Sequence, residues 1–388
     1  ATAARHLHHR QQPMLHRTEK PVAPMSLTRE RVGGGLQFAL LLILFVTFFG
    51  VLLASVFELF RFADFLLRQE WTWGWPLLGQ ASLMFVVGVV VVRIAWWLSL
   101  AILGLVTRKY EPDDLLLDTI PLDPMECPDL YDRVDEICRR VKSPRPDEIR
   151  LNPLPQCYVV EQRRFSLSTK RSLTLVVGLP QILVFTMAEL RVILVHEMAH
   201  FGSGDTTLTV FLFRFVESLR RSLLQLHRKW WHWVDPFYWV FALFYAALYR
   251  VALPLQRRLE LRADRISAAL CGGDLAAHTL LKDWFLDGQF DEAVAVWRSP
   301  ETIAATRANV FQLFADRWRE LSPDAEQYLA ERLAEQRLRP DDDPHPSTRD
   351  RLAIMRQFPP VDSHDGQPAL TLLPRHQELE RAAAELLE

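Results

Sequence analysis

The chain has 388 residues, with 45 Lys and Arg against 47 Asp and Glu and a formal net charge of −2. A balance this even excludes a dedicated nucleic-acid binder, which carries a basic surplus or stripe. The four cysteines, Cys127, Cys138, Cys157 and Cys271, lie far apart with no CxxC pair, which excludes a disulfide-stapled scaffold and a cysteine zinc finger and fits free thiols in a reducing compartment.

Residues 1–35 contain histidines, arginines and the run Gly33-Gly34-Gly35 without any periodicity. They read as a disordered basic lead-in, and His6, His8 and His9 are given no metal role. From Leu36 to Phe57 run 22 residues without a charge, matching the roughly 20 apolar residues a helix needs to cross a bilayer. A second apolar stretch, Trp71 to Thr107, is interrupted only by Arg93. As one helix it would be about 55 Å long, against a hydrocarbon core of roughly 30 Å, so part of it projects into water. Trp96 and Trp97 beside Arg93 read as an interfacial anchor, with the arginine snorkelling. The expectation is a transmembrane helical hairpin over 36–107. Lys20, Arg29 and Arg31 precede it and Arg108 and Lys109 follow it, whereas the connecting loop holds Arg61 and Arg68. The positive-inside rule then puts both termini and the rest of the chain in the cytoplasm.

Residues 110–180 read as mixed α/β, with an amphipathic helix over Asp129–Val141 and a β-rich run, Ser172–Gly178, ending in Gly-Leu-Pro. At 186–205 the sequence is TMAELRVILVHEMAHFGSGD. Thr186 with Glu189 three residues later is a capping box that starts a helix, and Gly202 suits its end. On that helix His196 and His200 are four residues apart, so both imidazoles leave one face at a spacing that grips one metal ion. Glu197 projects about 100° away, within reach of a water at that metal without being a ligand. This is H-E-x-x-H, the helix signature of zinc peptidases. A catalytic zinc needs a third protein ligand from another element. Pro254 starts a further predicted helix on which Glu260 and Asp264 share a face. One carboxylate can ligate while the other accepts the free N–H of a ligating histidine.

Between the two helices, Phe237–Leu255 is again apolar and follows Trp230, Trp231 and Trp233. His200 and Glu260 must reach the same ion, so 206–255 crosses the membrane zero times or twice. Arg214, Glu217, Arg220 and Arg221 in the only partner segment are costly in lipid. The favoured reading is a membrane-associated helical insertion on or dipping into the bilayer, with two crossings as the alternative. The tail from Pro300 reads as mostly helical with a loop at Arg339–Pro346, and 361–388 as a partly helical C-terminal tail.

HEMAH, the following Asp205, and ExxxD at 260–264 with Arg257 three residues before its Glu resemble the HtpX-like and CAAX prenyl endopeptidase family of membrane zinc metallopeptidases, of the gluzincin type. The likeness extends to the strand–turn–helix before the motif and to His345-Pro346-Ser347 with Arg351 six residues after the His, and covers roughly 120–360. Where the family has an Asn-Ala-Phe-like element, this chain has Arg164-Phe165-Ser166-Leu167. The resemblance implies a mostly α fold with a small β-sheet, a membrane hairpin followed by a gluzincin-type metallopeptidase domain over 108–360. It implies one Zn²⁺ per chain on His196, His200 and Glu260, with Glu197 as general base. Asp264 and Asp205 would support the ligands from behind. On this reading His345 donates to the oxyanion with Arg351 as its positioner, and the strand of Leu173, Leu175 and Val177 pairs with an extended substrate. The partners expected are a protein or peptide substrate and the lipid bilayer of a bacterial plasma membrane, with membrane-protein quality control as one role. Two other classes stand beside this one. A site-2-type intramembrane protease would use Leu286-Asp287-Gly288, which here sits in a polar stretch. A non-enzymatic membrane scaffold would hold a structural zinc.

Overall fold

Helix α1, Pro128–Val141, opens on a proline where the missing N–H costs nothing, and buries Leu130, Val134, Ile137 and Cys138 on one stripe. It stops at Lys142, which takes a left-handed conformation with φ 58°. The computed structural model describes residues 116–163, 171–202, 236–299, 309–321, 346–361 and 365–387, with scattered positions between 39 and 92 and between 216 and 227.

Four strands form one mixed sheet: β1 (Ile120–Pro121), β2 (Glu148–Asn152), β3 (Tyr158–Arg163) and β4 (Arg171–Gly178). Their order is β1-β2-β4-β3; β2 and β4 run parallel and the outer pairs antiparallel. Leu173 to Val177 of β4, Thr174 included, are buried on both faces of the sheet. Leu175 and Val177 enter the main core, and Val176 packs with Leu116 and Val160 on the other side. This corrects one expectation. Leu173, Leu175 and Val177 lie on an inner strand whose two edges are already taken by β2 and β3, so they have no backbone groups to offer a substrate. Among the described residues the outer strand next to β4 is β3.

Beyond the sheet the chain is helical: α2 (Leu179–Val184), α3 (Met187–Ala199), α4 (Pro236–Cys271), α5 (Gly273–Trp297), α6 (Val310–Glu320), α7 (Thr348–Met355) and α8 (His376–Glu385), with a 3₁₀ turn at Ala369–Leu372. The domain is therefore mostly helical with a small mixed sheet. Pro254 does not start a helix: it lies inside α4, 36 residues long, so the apolar stretch before it and the Glu260–Asp264 face after it are one continuous rod of about 54 Å. The α4–α5 turn needs its two glycines. Gly272 has φ +98°, and a Cβ on Gly273 would lie 2.3 Å from the Met355 carbonyl at the end of α7.

The last residues are not a separate tail. The Met187 and Ala188 N–H groups, first in α3, donate to the Gln367 and Asp365 carbonyls at 2.8 and 3.1 Å, and Ala369 N–H donates to Phe185 at 2.9 Å. Ala369, Leu372, Leu373 and Ala383 are in the main core with α3 and α5.

Described positions between 39 and 92 are helical, and large apolar side chains among them, such as Ile43, Leu53, Phe57, Phe85 and Val92, are exposed, whereas Leu44 packs against the cluster of Val216, Phe244 and Leu248. Among the described residues no helix is long and apolar enough to cross a membrane. The lead-in 1–35, much of the expected hairpin 36–107 and much of the 206–235 part of the insertion lie outside the described residues.

Candidate metal centre

The site is built on the start of α3. Thr186 caps it: Glu189 N–H donates to Thr186 Oγ1 at 3.3 Å while Thr186 N–H donates to Glu189 Oε2 at 2.7 Å. Glu189 is also clamped by Lys282 Nζ of α5 at 3.0 Å. Ten residues later the same helix presents His196, Glu197 and, at its C-cap, His200.

The facing rod α4 brings Glu260 between the two imidazoles. His196 Nε2 and His200 Nε2 are each 3.6 Å from a different Glu260 carboxylate oxygen. Two nitrogens and one oxygen from these residues all lie within 4.8 Å of one another. Ligands bound tetrahedrally at zinc distances sit about 3.4 Å apart, so the spacing and the donor types suit a His₂Glu site with one position left for substrate. The residues present fit the ion the motif implies.

Behind the ligands, His196 Nδ1 is 3.1 Å from Asp264 Oδ1. A hydrogen bond there puts the proton on Nδ1 and aims the Nε2 lone pair at the site. Asp264 is fully buried, and Arg351 of α7 holds it with two hydrogen bonds of 2.7 Å, from Nε and Nη2. Arg351 therefore acts through Asp264 and His196. Its Nε and Nη2 donors are engaged behind the metal site, while its expected place beside His345 falls on a residue outside the described ones.

Electrostatics follow from this packing. Burial pushes Glu197 up to about 7, opposed by the charge of His196 and reinforced by Glu260 and Asp283. Burial and the His196 charge bring His200 down to about 4. For His196 burial acts downward, but hydrogen bonds to Asp264 and Glu260 outweigh it and raise it to about 10. Those carboxylates favour positive charge at this point, whether a proton or a metal ion carries it. Asp264 is held below its ordinary value: Arg351 and His196 overcome the burial that would raise it.

Residues 165–358 match Peptidase family M48, half of the chain. The chain belongs to Peptidase family M48. No curated protein and no solved structure matches it. M48 membership makes the chain a metallopeptidase, with protein or peptide substrates, and the His196–His200–Glu260 cluster is where a metal ion would be held. The match ends at residue 358, short of the Gln367 and Asp365 carbonyls that cap the M48 chain's α3.

His345 and Asp205 lie outside the described residues. Asp287 does not join the metal cluster, which leaves the Leu-Asp-Gly arrangement of a site-2 protease without support. Sequence reading missed Asp283 and Gln181, which meet at 2.6 Å, and the charge of Asp283 acts on Glu197. One signal for Asp283 was available, an acid among Leu280, Leu281, Phe285 and Leu286, all buried.

Proposed function

We propose that the chain is a membrane-anchored zinc endopeptidase whose active site faces the cytoplasm of a bacterial cell. One observation carries the zinc and the chemistry: two α3 imidazoles and one α4 carboxylate converge, with Asp264 and Arg351 fixing the imidazole nearest them. Zinc, when bound, makes a water nucleophilic near neutral pH and polarises the scissile carbonyl. Glu197, adjacent in sequence to a ligand and half-buried, takes the proton of the attacking water and then delivers it to the leaving amine. A carboxyl that burial pushes up from the ordinary range is suited to both accepting and returning a proton. We assign His345 to the developing oxyanion, as a neutral hydrogen-bond donor.

The β3 edge is the better place for an extended substrate, since β3 is the outer strand beside β4 in the sheet order. Backbone pairing of this kind reads little sequence, which suits unfolded polypeptides and a role in membrane-protein quality control. Exposed apolar helical positions at 39–92 support an anchor in lipid.

Metal analysis with cleavage of an unfolded membrane protein by the purified full chain tests the reading. We expect one zinc per chain and cleavage abolished by chelator and by Glu197→Gln. A chain that holds stoichiometric zinc yet cleaves nothing would instead favour the scaffold reading. Within that assay His345→Ala should lower kcat on the order of 100-fold with little change in KM; near-normal kcat would remove it from the mechanism.

A further inference from the structure

The first half of α4 keeps one face uncovered among the described residues. Trp239 and Leu243 are 57% and 74% exposed, and Ala246 and Arg250 continue the same face, both exposed. From Pro236 to Tyr249 the helix carries no charge, so Arg250 is where this face turns polar. Beyond it Ala252, Leu253 and Leu255 are buried, and four further arginines between 257 and 265 flank Glu260 of the candidate metal cluster.

The other side of this half shows what the uncovered face meets. Phe244 and Leu248 pack with Val216 and Leu219 of the preceding segment, which runs back along α4 so that His227 Nδ1 lies 3.1 Å from the Tyr238 hydroxyl. Leu44 packs against the same cluster, and it comes from the 22-residue run 36–57 that holds no charge. The uncharged half of α4 therefore lies beside the stretch best suited to lipid. An uncharged face that bears a tryptophan and ends in an arginine is the form of a helix leaving a bilayer at that arginine. Arg220, exposed on the neighbouring segment, stands about a turn and a half inside that level, a depth from which a long side chain reaches the headgroups.

The rod then sets a height. α4 stays helical through Pro254, and from Arg250 to Glu260 it rises about 15 Å. A tilt of about 20° would shorten this by only about 1 Å. A fully extended chain covers the distance in about five residues, and a flexible one matches it in r.m.s. length with about six to nine. We propose that α4 is a spacer that selects substrates by position: in a polypeptide held in the same membrane, the bonds cleaved are those about five to nine residues from the end of its membrane segment. Nearer bonds fall short of the metal cluster, and more distant ones meet it at a falling effective concentration. The inference rests on the membrane-anchored peptidase reading and adds which bonds that enzyme is offered.

The experiment places the unmutated full chain, with zinc, in vesicles of phosphatidylethanolamine and phosphatidylglycerol together with a model substrate. That substrate is one span of about 20 leucine and alanine residues followed by a long tail of identical Gly-Ser-Phe-Ala repeats, so that every repeat offers the same chemistry. Mass spectrometry of the first products gives the cut positions. Cuts at about five to nine residues from the span should outnumber those about 20 residues away by roughly five-fold, and the first repeat should stay intact. Even cutting along the tail, or equal cutting in the first repeat, would overturn the inference. The double variant Trp239→Asp, Leu243→Asp places charge on the lipid face. It should flatten the distribution while cleaving the free tail peptide at the parent rate; a peak that persists would show that α4 does not set the spacing. Should that variant fail to fold, the map from the unmutated chain decides by itself. The free tail peptide separates the two readings: if the unmutated chain leaves it whole, the peptidase reading falls and the spacing with it, whereas cleavage of the free peptide with an even map removes the spacing alone.

Discussion

His196 shows how much of a metal ligand's behaviour is decided by residues that never touch the metal. Its Nε2 is available because Asp264 engages Nδ1, and Asp264 stays in place because Arg351 grips both its oxygens. Asp264→Ala should therefore retain zinc but bind it about 10–100-fold more weakly, read by competition with a chromogenic chelator; wild-type affinity would make Asp264 a merely structural acid. Arg351→Met leaves that carboxylate buried and uncompensated, which should cost on the order of 3–5 kcal/mol. Arg351→Lys should recover little of it, because a point charge cannot replace the two-toothed guanidinium. Glu197 has a different dependence. Glu197→Gln should keep its zinc while His196→Ala, His200→Ala and Glu260→Ala lose most of theirs, and elemental analysis showing Glu197→Gln as empty as His200→Ala would exchange their roles.

At the scale of elements, α3 is the part on which everything else is hung. Its first turn is fixed three times over: by its own capping box, by the Lys282 clamp, and by the carbonyls of Asp365 and Gln367. For Glu189, burial acts to raise the carboxyl, but His278, Lys282 and Thr186 overcome this and lower it from 4.5 to about 2. A depressed carboxyl stabilises the fold above its unfolded value and stops doing so as pH falls through the folded one. Glu189 should thus contribute about 3 kcal/mol at neutral pH, lost between pH 4.5 and about 2. Denaturation curves of Glu189→Gln and the parent should differ at neutral pH and converge toward pH 2; a constant gap would mean that the clamp is not ionic. The C-terminal strap has its own test. Ending the chain after Val361 removes two α3 cap acceptors and the buried Leu372 and Leu373, together worth about 3–6 kcal/mol of apolar burial alone. Hydrogen exchange at Met187–Leu190 should accelerate in the shortened chain, and unchanged protection there would show the strap to be dispensable.

The whole molecule joins a packed metallopeptidase body to helical positions between 39 and 92 where large apolar side chains lie exposed. Large side chains such as Phe57, Phe85 and Val92 are well over half exposed, and exposed large apolar side chains mark a surface that meets a partner or lipid. The long rod α4 carries Trp239 and Leu243 exposed at one end and Glu260 of the candidate metal cluster toward the other. We expect the chain to stay with membranes through alkaline carbonate extraction and to be released only by detergent. Release by carbonate would reduce the anchor to a peripheral contact.

What could be read from the sequence was what short-range periodicity encodes. His196, Glu197 and His200 on one turn, Thr186 and Glu189 as a capping box, and Glu260 with Asp264 one turn apart each depend on helical geometry over a few residues, and a helix keeps that geometry wherever it packs. The strand at Leu173–Val177 was legible for the same reason. Its neighbours were not, because an apolar run looks alike on an edge or in the middle of a sheet, and only the pairing of β3 and β2 to its two sides decided that it was inner. Arg351 was singled out by its spacing from His345, but its engagement of Asp264, 87 residues away in sequence, has no local trace. The 36-residue span of α4 hid behind Pro254, whose local effect suggested a helix start. Asp283 meets Gln181 across 102 residues. Contacts of this range form only when whole elements dock, so the ligands were written in the sequence, whereas what orients them, and what surrounds the substrate, was left to the packing of α4, α5 and α7 on α3.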